Sequence, residues 1–193
     1  MKKYSEEPII CAARRGDLWA FNTLVLAYQD RAYTQAYYLL GNPTAAEDAV
    51  AEAFIAAFQA ISSFRDGSIQ SWLSKIVTQK CMEKLSRGKS RPTKVRKSSN
   101  TPGKDINSPQ PPPVPGLFLN EAEAEGLILR CMAHLSVEHR IILVLVDLLG
   151  LDYCEAAEIT GCPTRMIQAR LAQARLQMNQ ILQEDRACYQ PVT

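Results

Sequence analysis

Residues 88–119 constrain this chain more than any other stretch. They hold seven prolines, six lysines or arginines and one acidic residue. Proline removes a backbone donor and suits neither a helix interior nor a central strand, and the apolar residues here are too sparse to build a core. The segment reads as a tether, partly polyproline-like. Fully extended it would reach on the order of 100 Å, and as a coil its ends would lie roughly 30 Å apart. It divides the 193 residues into blocks 1–87 and 120–193, with formal charges of +1, +5 and −4 along the three segments. A basic middle between a near-neutral and an acidic block is the pattern of two domains and a linker.

Both blocks carry helical periodicity. In the first, Leu18, Phe21, Leu24, Val25 and Tyr28 recur at three- and four-residue steps after Gly16-Asp17. Arg31 to Leu40 continues after a brief interruption and stops at Gly41-Asn42-Pro43. Thr44 and Glu47 have capping-box spacing ahead of a helix with Val50, Phe54, Ile55 and Phe58 on one face. Phe64 to Gly67 reads as a loop, and Ile69 to Leu85 as another helix.

In the second block, Asn120 and Glu123 open a helix ending near Leu135. Ser136 caps the next, Val137 to Leu149. Its Ile-Ile-Leu-Val-Leu-Val run has strand propensity, but the cap, the terminal Gly150 and the length favour a buried helix. Asp152 and Glu155 cap a short helix that stops at Gly161-Cys162-Pro163, and Thr164 caps the last, which runs to about Gln183. The expected fold class is all-α: two small helical domains joined by a flexible, proline-rich basic linker.

Composition narrows the classes. With 47% hydrophobic and 22% charged residues, the chain has material for a core and is not globally disordered. The longest apolar stretch, Ile141 to Leu151, is broken by Asp147 and falls short of the ~20 residues a membrane span needs. No secretory apolar segment follows Met1-Lys2-Lys3, so a cytoplasmic location without membrane insertion is expected. The six cysteines are dispersed without a CxxC pair and read as buried thiols in a reducing compartment. Cys131, His134 and His139 match no defensible zinc spacing. With no Gly-rich phosphate loop and no nucleophilic triad, the chain is not expected to be an enzyme or to need a cofactor or metal.

The last two helices carry the most information. A short helix, a tight turn with Gly161 and Pro163, and a longer helix form a helix-turn-helix candidate. In the longer one, Ile167, Leu171, Ala174 and Met178 make the inward stripe. The remaining face presents Arg165, Gln168, Arg170, Gln173, Arg175 and Gln177, with no carboxylate between Glu158 and Glu184. Positive charge is thus gathered on one helix of an acidic domain. Arg and Gln read guanine and adenine edges in a major groove, while Thr164 and backbone amides at the helix start suit phosphates. A solvated helix in an ordinary bundle would show the same stripe.

The first block offers another surface. Lys75, Gln79, Lys80 and Lys84 lie near one another on one helix, with Trp72 at its start. Cations that track phosphates beside a ring that stacks on bases suit single-stranded nucleic acid. Trp72 fits a core position at least as well. Glu47, Asp48 and Glu52, set beside apolar residues, look like a face for docking a protein.

Gly16-Asp17 with Ala20-Phe21, Ala46-Glu47-Asp48 with Glu52-Ala53-Phe54, and Trp72-Leu73 with Ile76 resemble region two of an extracytoplasmic-function sigma factor of bacterial RNA polymerase. Leu135, Arg140, Leu143, Leu145, Asp147, Gly150 to Tyr153, Glu155 to Ala157, Ile159, Gly161 to Pro163, Arg170-Leu171 and Ala174-Arg175 resemble region four. The resemblance covers both blocks in the family's order and leaves only the linker outside.

It implies a transcription initiation factor with core RNA polymerase (its clamp region and flap), promoter DNA in duplex and single-stranded form, and an anti-sigma factor as partners. Asp48, Glu52 and Phe54 would dock polymerase. Arg65, Trp72, Lys75, Gln79, Lys80, Glu83, Lys84 and Arg87 would engage and help melt the minus-ten element. Tyr153, Glu155, Thr164, Arg165, Gln168, Arg170, Gln173 and Arg175 would serve the minus-thirty-five element. The chain departs from the family's usual residues at Ala51, Gln79, Glu83, Ser86, Arg165, Met166 and Ala169, positions that bear on promoter preference. The competing reading is a diverged sigma-like interaction module that docks polymerase or a regulator without reading promoters. A dimeric operator-binding regulator would leave the first block unexplained.

Overall fold

The computed structural model describes residues 6–65, 67–90 and 121–188, and among them every regular element is helical. The first block holds α1 (Glu7–Arg14), α2 (Leu18–Leu40), α3 (Pro43–Ala60) with a 3₁₀ turn at Ile61–Ser63, and α4 (Ile69–Ser90). The second holds α5 (Glu121–His134), α6 (Val137–Leu143) running into a π turn at Val144–Leu148, α7 (Tyr153–Thr160) and α8 (Thr164–Cys188). The expected tether lies outside the described residues, except that α4 runs through Ser90 into its basic start.

Several boundaries differ from the sequence reading for identifiable reasons. Helix α2 is continuous through residues 29–31, because its next turn is tied to α4: Gln35 is buried and donates to the Ser74 carbonyl at 2.9 Å and the Thr78 hydroxyl at 2.8 Å. The N-cap of α3 is Asn42, whose side chain accepts from Ala45 N at 2.9 Å, with Pro43 at the first helical position. Thr44 is therefore inside the helix. Helix α1 was not read from sequence, being a two-turn element held by its neighbour. Tyr28 of α2 donates to the Glu6 carboxylate, and burial together with that carboxylate pushes the phenol above its ordinary value.

Other signals were read at the right residues. Asp17 caps α2 by accepting from Trp19 and Ala20 N, and Gly41 ends it at φ 67°, a left-handed conformation that glycine adopts without strain. Ser136 caps α6. The capping box of α7 is complete: Asp152 accepts from Cys154 and Glu155 N, and Glu155 accepts from Asp152 N at 3.0 Å. Asp152→Ala removes the side-chain acceptor of two bonds, so it is expected to lower stability by about 1 kcal/mol, measured as a shift of the urea midpoint at constant slope.

The two blocks do not stand apart. One apolar cluster contains Ala36, Leu39, Val77 and Cys81 of the first block together with Met132, Leu135, Ile142, Leu145, Ile167 and Leu171 of the second. A second cluster, around Phe21, Leu24, Ile61 and Leu73, belongs to the first block alone. Helices α5, α6 and the π turn lie against α2, while α7 lies against α4.

Polar bonds between described residues cross the same seam. Arg140 donates to the Leu39 carbonyl at 2.8 Å, Gln70 to the Leu149 carbonyl at 3.2 Å, and Ser71 to the Glu155 carboxylate. The two helical sets therefore also meet directly, through this shared cluster and these bonds. Apolar residues that cover a helix face look alike whether they meet their own block or another.

Candidate nucleic-acid and polymerase surfaces

On α8 the inward stripe is Ile167, Leu171 and Ala174, all at most 2% exposed, with Met178 half-buried. That fixes the outward face. Arg165, Gln168, Gln173 and Gln177 are exposed on it, and Thr164 is half-buried at the helix start. The remaining arginines are held from the side by carboxylates of α6 and of the π turn that follows it. Arg170 pairs with Glu138 at 3.0 Å and lies 3.4 Å from Cys162 Sγ. Arg175 grips Asp147 with two nitrogens, Nε at 3.0 Å from Oδ2, which raises its already high pKa further. These bonds orient both side chains before any ligand arrives. Neither Glu138 nor Asp147 was singled out as a partner, since they stand 32 and 28 residues away from the arginines they hold.

Helix α7 supplies the other half of the helix-turn-helix, ending at Gly161 with φ 69°. Tyr153 is exposed at its start, but Glu155 is half-buried and faces α4 through Ser71. Tyr153 and Glu155 are therefore not brought to one surface.

On α4, Lys75 and Gln79 are exposed, with exposed Met82 continuing their face. Glu83 gathers two neighbouring cations: Lys80 at 3.2 Å and Arg87 at 4.0 Å. Lys84 turns the other way, onto α3, where it meets Glu52 at 2.9 Å and Asp48 at 3.9 Å. The hydrogen bond from Lys84 holds the Glu52 carboxyl below its ordinary range. Trp72 is half-buried, its ring 5.4 Å from that of Phe64 and tilted by 59°. It packs against the first-block cluster and stays partly accessible. Arg65 is exposed in the loop before the helix.

The third surface is α3. Its small residues Ala46, Ala49, Ala53 and Ala57 are essentially fully buried and let α2 and α4 approach closely. Phe54 packs inward against both apolar clusters. The apolar side chains that α3 turns outward are Ile55, 61% exposed, and Phe58, 37% exposed, on the face that also carries exposed Asp48. Sequence periodicity placed Phe54, Ile55 and Phe58 together. The helical phase, decided by the alanines, turns Phe54 inward and Ile55 outward, and leaves Phe58 at the border with its ring 5.1 Å from that of buried Phe21.

Among the described residues no group of three or more potential ligands is placed to hold a metal ion, and no helix is long and apolar enough to cross a membrane. His134 and His139 instead bond the Arg130 carbonyl and Gln177.

Comparison with known proteins matches these surfaces to two family models: sigma-70 region 2 over residues 24–91 and sigma-70 region 4 over residues 125–178. The ECF RNA polymerase sigma factor SigM of Mycobacterium tuberculosis is 27% identical over 179 residues, covering 92% of this chain and 85% of its own. The ECF RNA polymerase sigma-E factor of Escherichia coli is 29% identical over 185 residues, covering 90% and 92%. Among solved structures, CnrH in complex with the cytosolic domain of CnrY superposes with a TM-score of 0.69 at 21% identity, over 93% of this chain and 98% of that one. The sigma factor RpoE of Bartonella quintana, in complex with the anti-sigma factor NepR, gives 0.64 at 22% identity, over 84% and 96%. With both sigma-70 regions in order and relatives aligned over nearly their whole length, the chain belongs to the extracytoplasmic-function sigma factors of bacterial RNA polymerase.

Proposed function

We propose that this protein binds core RNA polymerase, directs it to a subset of promoters and assists opening of the duplex. The catalytic step, phosphodiester formation, belongs to the polymerase. The observation that carries this reading is the division of labour among three outward faces: an apolar and acidic one on α3, a Lys/Gln one on α4 and an Arg/Gln one on α8. SigM and sigma-E, to which the chain is similar, are named for RNA polymerase, and the solved RpoE is in complex with the anti-sigma factor NepR, so an anti-sigma partner is proposed here too.

For the polymerase, Ile55, Phe58 and Asp48 form the docking face, with Glu52 held in place by Lys84. For the minus-ten strand, Lys75 and Gln79 are the contacts that α4 presents outright, with exposed Arg65 and half-buried Trp72 as further candidates. Lys80, Glu83 and Arg87 form an ion cluster on the flank, and Lys84 serves to join α4 to α3. For the minus-thirty-five duplex, Arg165, Gln168 and Gln173 face the groove, while Arg170 and Arg175 reach phosphates or bases from fixed positions.

Transcription in vitro with core polymerase and genomic fragments tests the reading, and no promoter-dependent product from any fragment counts against it. A sharper prediction concerns α3. Ile55→Asp is expected to weaken core polymerase binding at least tenfold, measured by titration of labelled protein, because a carboxylate would be desolvated at the centre of an apolar contact. Its melting temperature should stay near that of the parent, since Ile55 is 61% exposed.

A further inference from the structure

Between Glu158 and Glu184 the sequence has no carboxylate, yet two are brought to α8 by the helix it packs on. Helix α6 lies against the inward stripe, its Ile142 and Leu145 sharing one cluster with Ile167 and Leu171. Glu138, in the first turn of α6, meets Arg170 at 3.0 Å. Asp147, in the π turn at the other end, meets Arg175 through Nε at 3.0 Å and through Nη2 as well. All four side chains stay partly open to solvent. Ion pairs in that setting add little to stability, so burying the stripe does not account for them.

At about 3.6 residues per turn, Arg170 and Arg175 stand about 140° apart around the axis of α8, one on each border of the buried stripe. Going round the outward side, the order is Arg170, Gln173, Arg165, Gln168, Arg175. Gln177, on the same border as Arg170, is itself held by His139 at 2.9 Å. A helix with its side chains is about 10–12 Å across and a major groove about 12 Å wide, so a helix seated there fills it from wall to wall. The middle three residues then meet base edges. The two arginines at the borders meet the phosphate backbones that form the walls.

We propose that Glu138 and Asp147 are positioning residues that set promoter specificity: they hold Arg170 and Arg175 on the groove walls as phosphate contacts and keep them off the base edges. Their role rests on the promoter reading proposed above. Arginine is long and pairs with guanine wherever it can reach one, so an untied arginine improves binding to many sequences at once. A tied one still has donors to spare, since a guanidinium carries five, but it offers them to a phosphate at one place. Phosphate contacts fix register, and a fixed register makes Arg165, Gln168 and Gln173 meet one set of bases. The two carboxylates also offset part of the positive charge of α8, which lowers its sequence-independent attraction to DNA.

The test uses the full chain and two probes: the duplex most enriched by the parent from a random library, and a scramble of it. Anisotropy titrations at several salt concentrations give the ratio of the two affinities and the salt slope. Asp147→Ala should lower the ratio about tenfold, chiefly by binding the scramble more tightly, the size of effect expected when a freed arginine takes a base contact. Asp147→Glu, which restores the carboxylate, should recover most of the ratio. Glu138→Ala should act as Asp147→Ala does, and it serves if the latter fails to fold. Melting temperatures should stay within about 3 °C of the parent. Arg175→Ala should weaken both probes alike and lower the salt slope by about one. A folded carboxylate variant with an unchanged ratio overturns the role of that residue. So does an Arg175→Ala that lowers the ratio and leaves the slope intact, because Arg175 then reads a base. If the parent enriches no sequence at all, the promoter reading fails and the role of both carboxylates falls with it, a result distinct from enrichment with an unchanged ratio.

Discussion

Leu145→Ala is expected to lower the stability of the whole protein by about 2–5 kcal/mol, not that of the second block alone. Leu145 is fully buried in the cluster that also holds Leu39 and Val77 of the first block. Removing its branched end leaves a cavity whose lining comes from both halves, and close-packed surroundings relax into such a void only in part. Both tryptophans, Trp19 and Trp72, lie in the first block, which makes the outcome easy to read. In urea, the midpoint followed by tryptophan fluorescence should fall together with the midpoint followed by far-ultraviolet circular dichroism. If the fluorescence midpoint stays where it is in the parent while the dichroism splits into two steps, the blocks unfold independently and the shared cluster contributes little to cooperativity.

The second large effect is on DNA. Arg165→Ala/Gln168→Ala removes two exposed side chains from the outward face of α8 without touching its inward stripe. Each base contact of this kind is worth about 1–3 kcal/mol, so the pair should weaken binding to a promoter duplex by about 2–6 kcal/mol. The measurement is fluorescence anisotropy at several salt concentrations, with melting temperature as the control. If the two side chains read bases, discrimination between promoter and scrambled duplex should collapse. If they contact only phosphates, the loss should be uniform across sequences and the salt slope should shrink. No change in affinity would favour an interaction module that has given up promoter reading. Arg170→Ala is a less clean probe, because it also breaks the pair with Glu138.

Read from residues alone, the helix-turn-helix was legible nearly to the residue. Its signals are local: Asp152 and Glu155 reach one another within a single turn, Gly161 adopts the left-handed conformation that ends α7, and the stripe from Ile167 to Ala174 follows the helical period. The Arg/Gln face follows directly, because a stripe that is buried leaves its opposite side outward. Where the sequence reading slipped, the cause was distant. The break it placed between Tyr28 and Arg31 disappears because Gln35 is satisfied by Ser74 and Thr78 of another helix. Phe54 was grouped with Ile55 and Phe58, whereas four alanines set the phase of α3 and turn Phe54 inward. Lys84 looked like a DNA contact on a basic helix, yet it is held by Glu52 and Asp48, carboxylates more than thirty residues earlier.

Periodicity, caps and composition by themselves determined that this chain is all-α, that its helices fall into two sets, and which faces carry charge. Each of those properties depends on residues within a turn or two of one another. Only the tertiary structure decided how the sets meet, which cations are free to face a ligand, and that Glu155 looks toward α4. The physical reason is that hydrophobic burial is non-directional: an apolar face records that it must be covered, but not by which partner. The bonds of Arg140 and Ser71 then select one covering over the others, and they exist only after the chain has closed on itself.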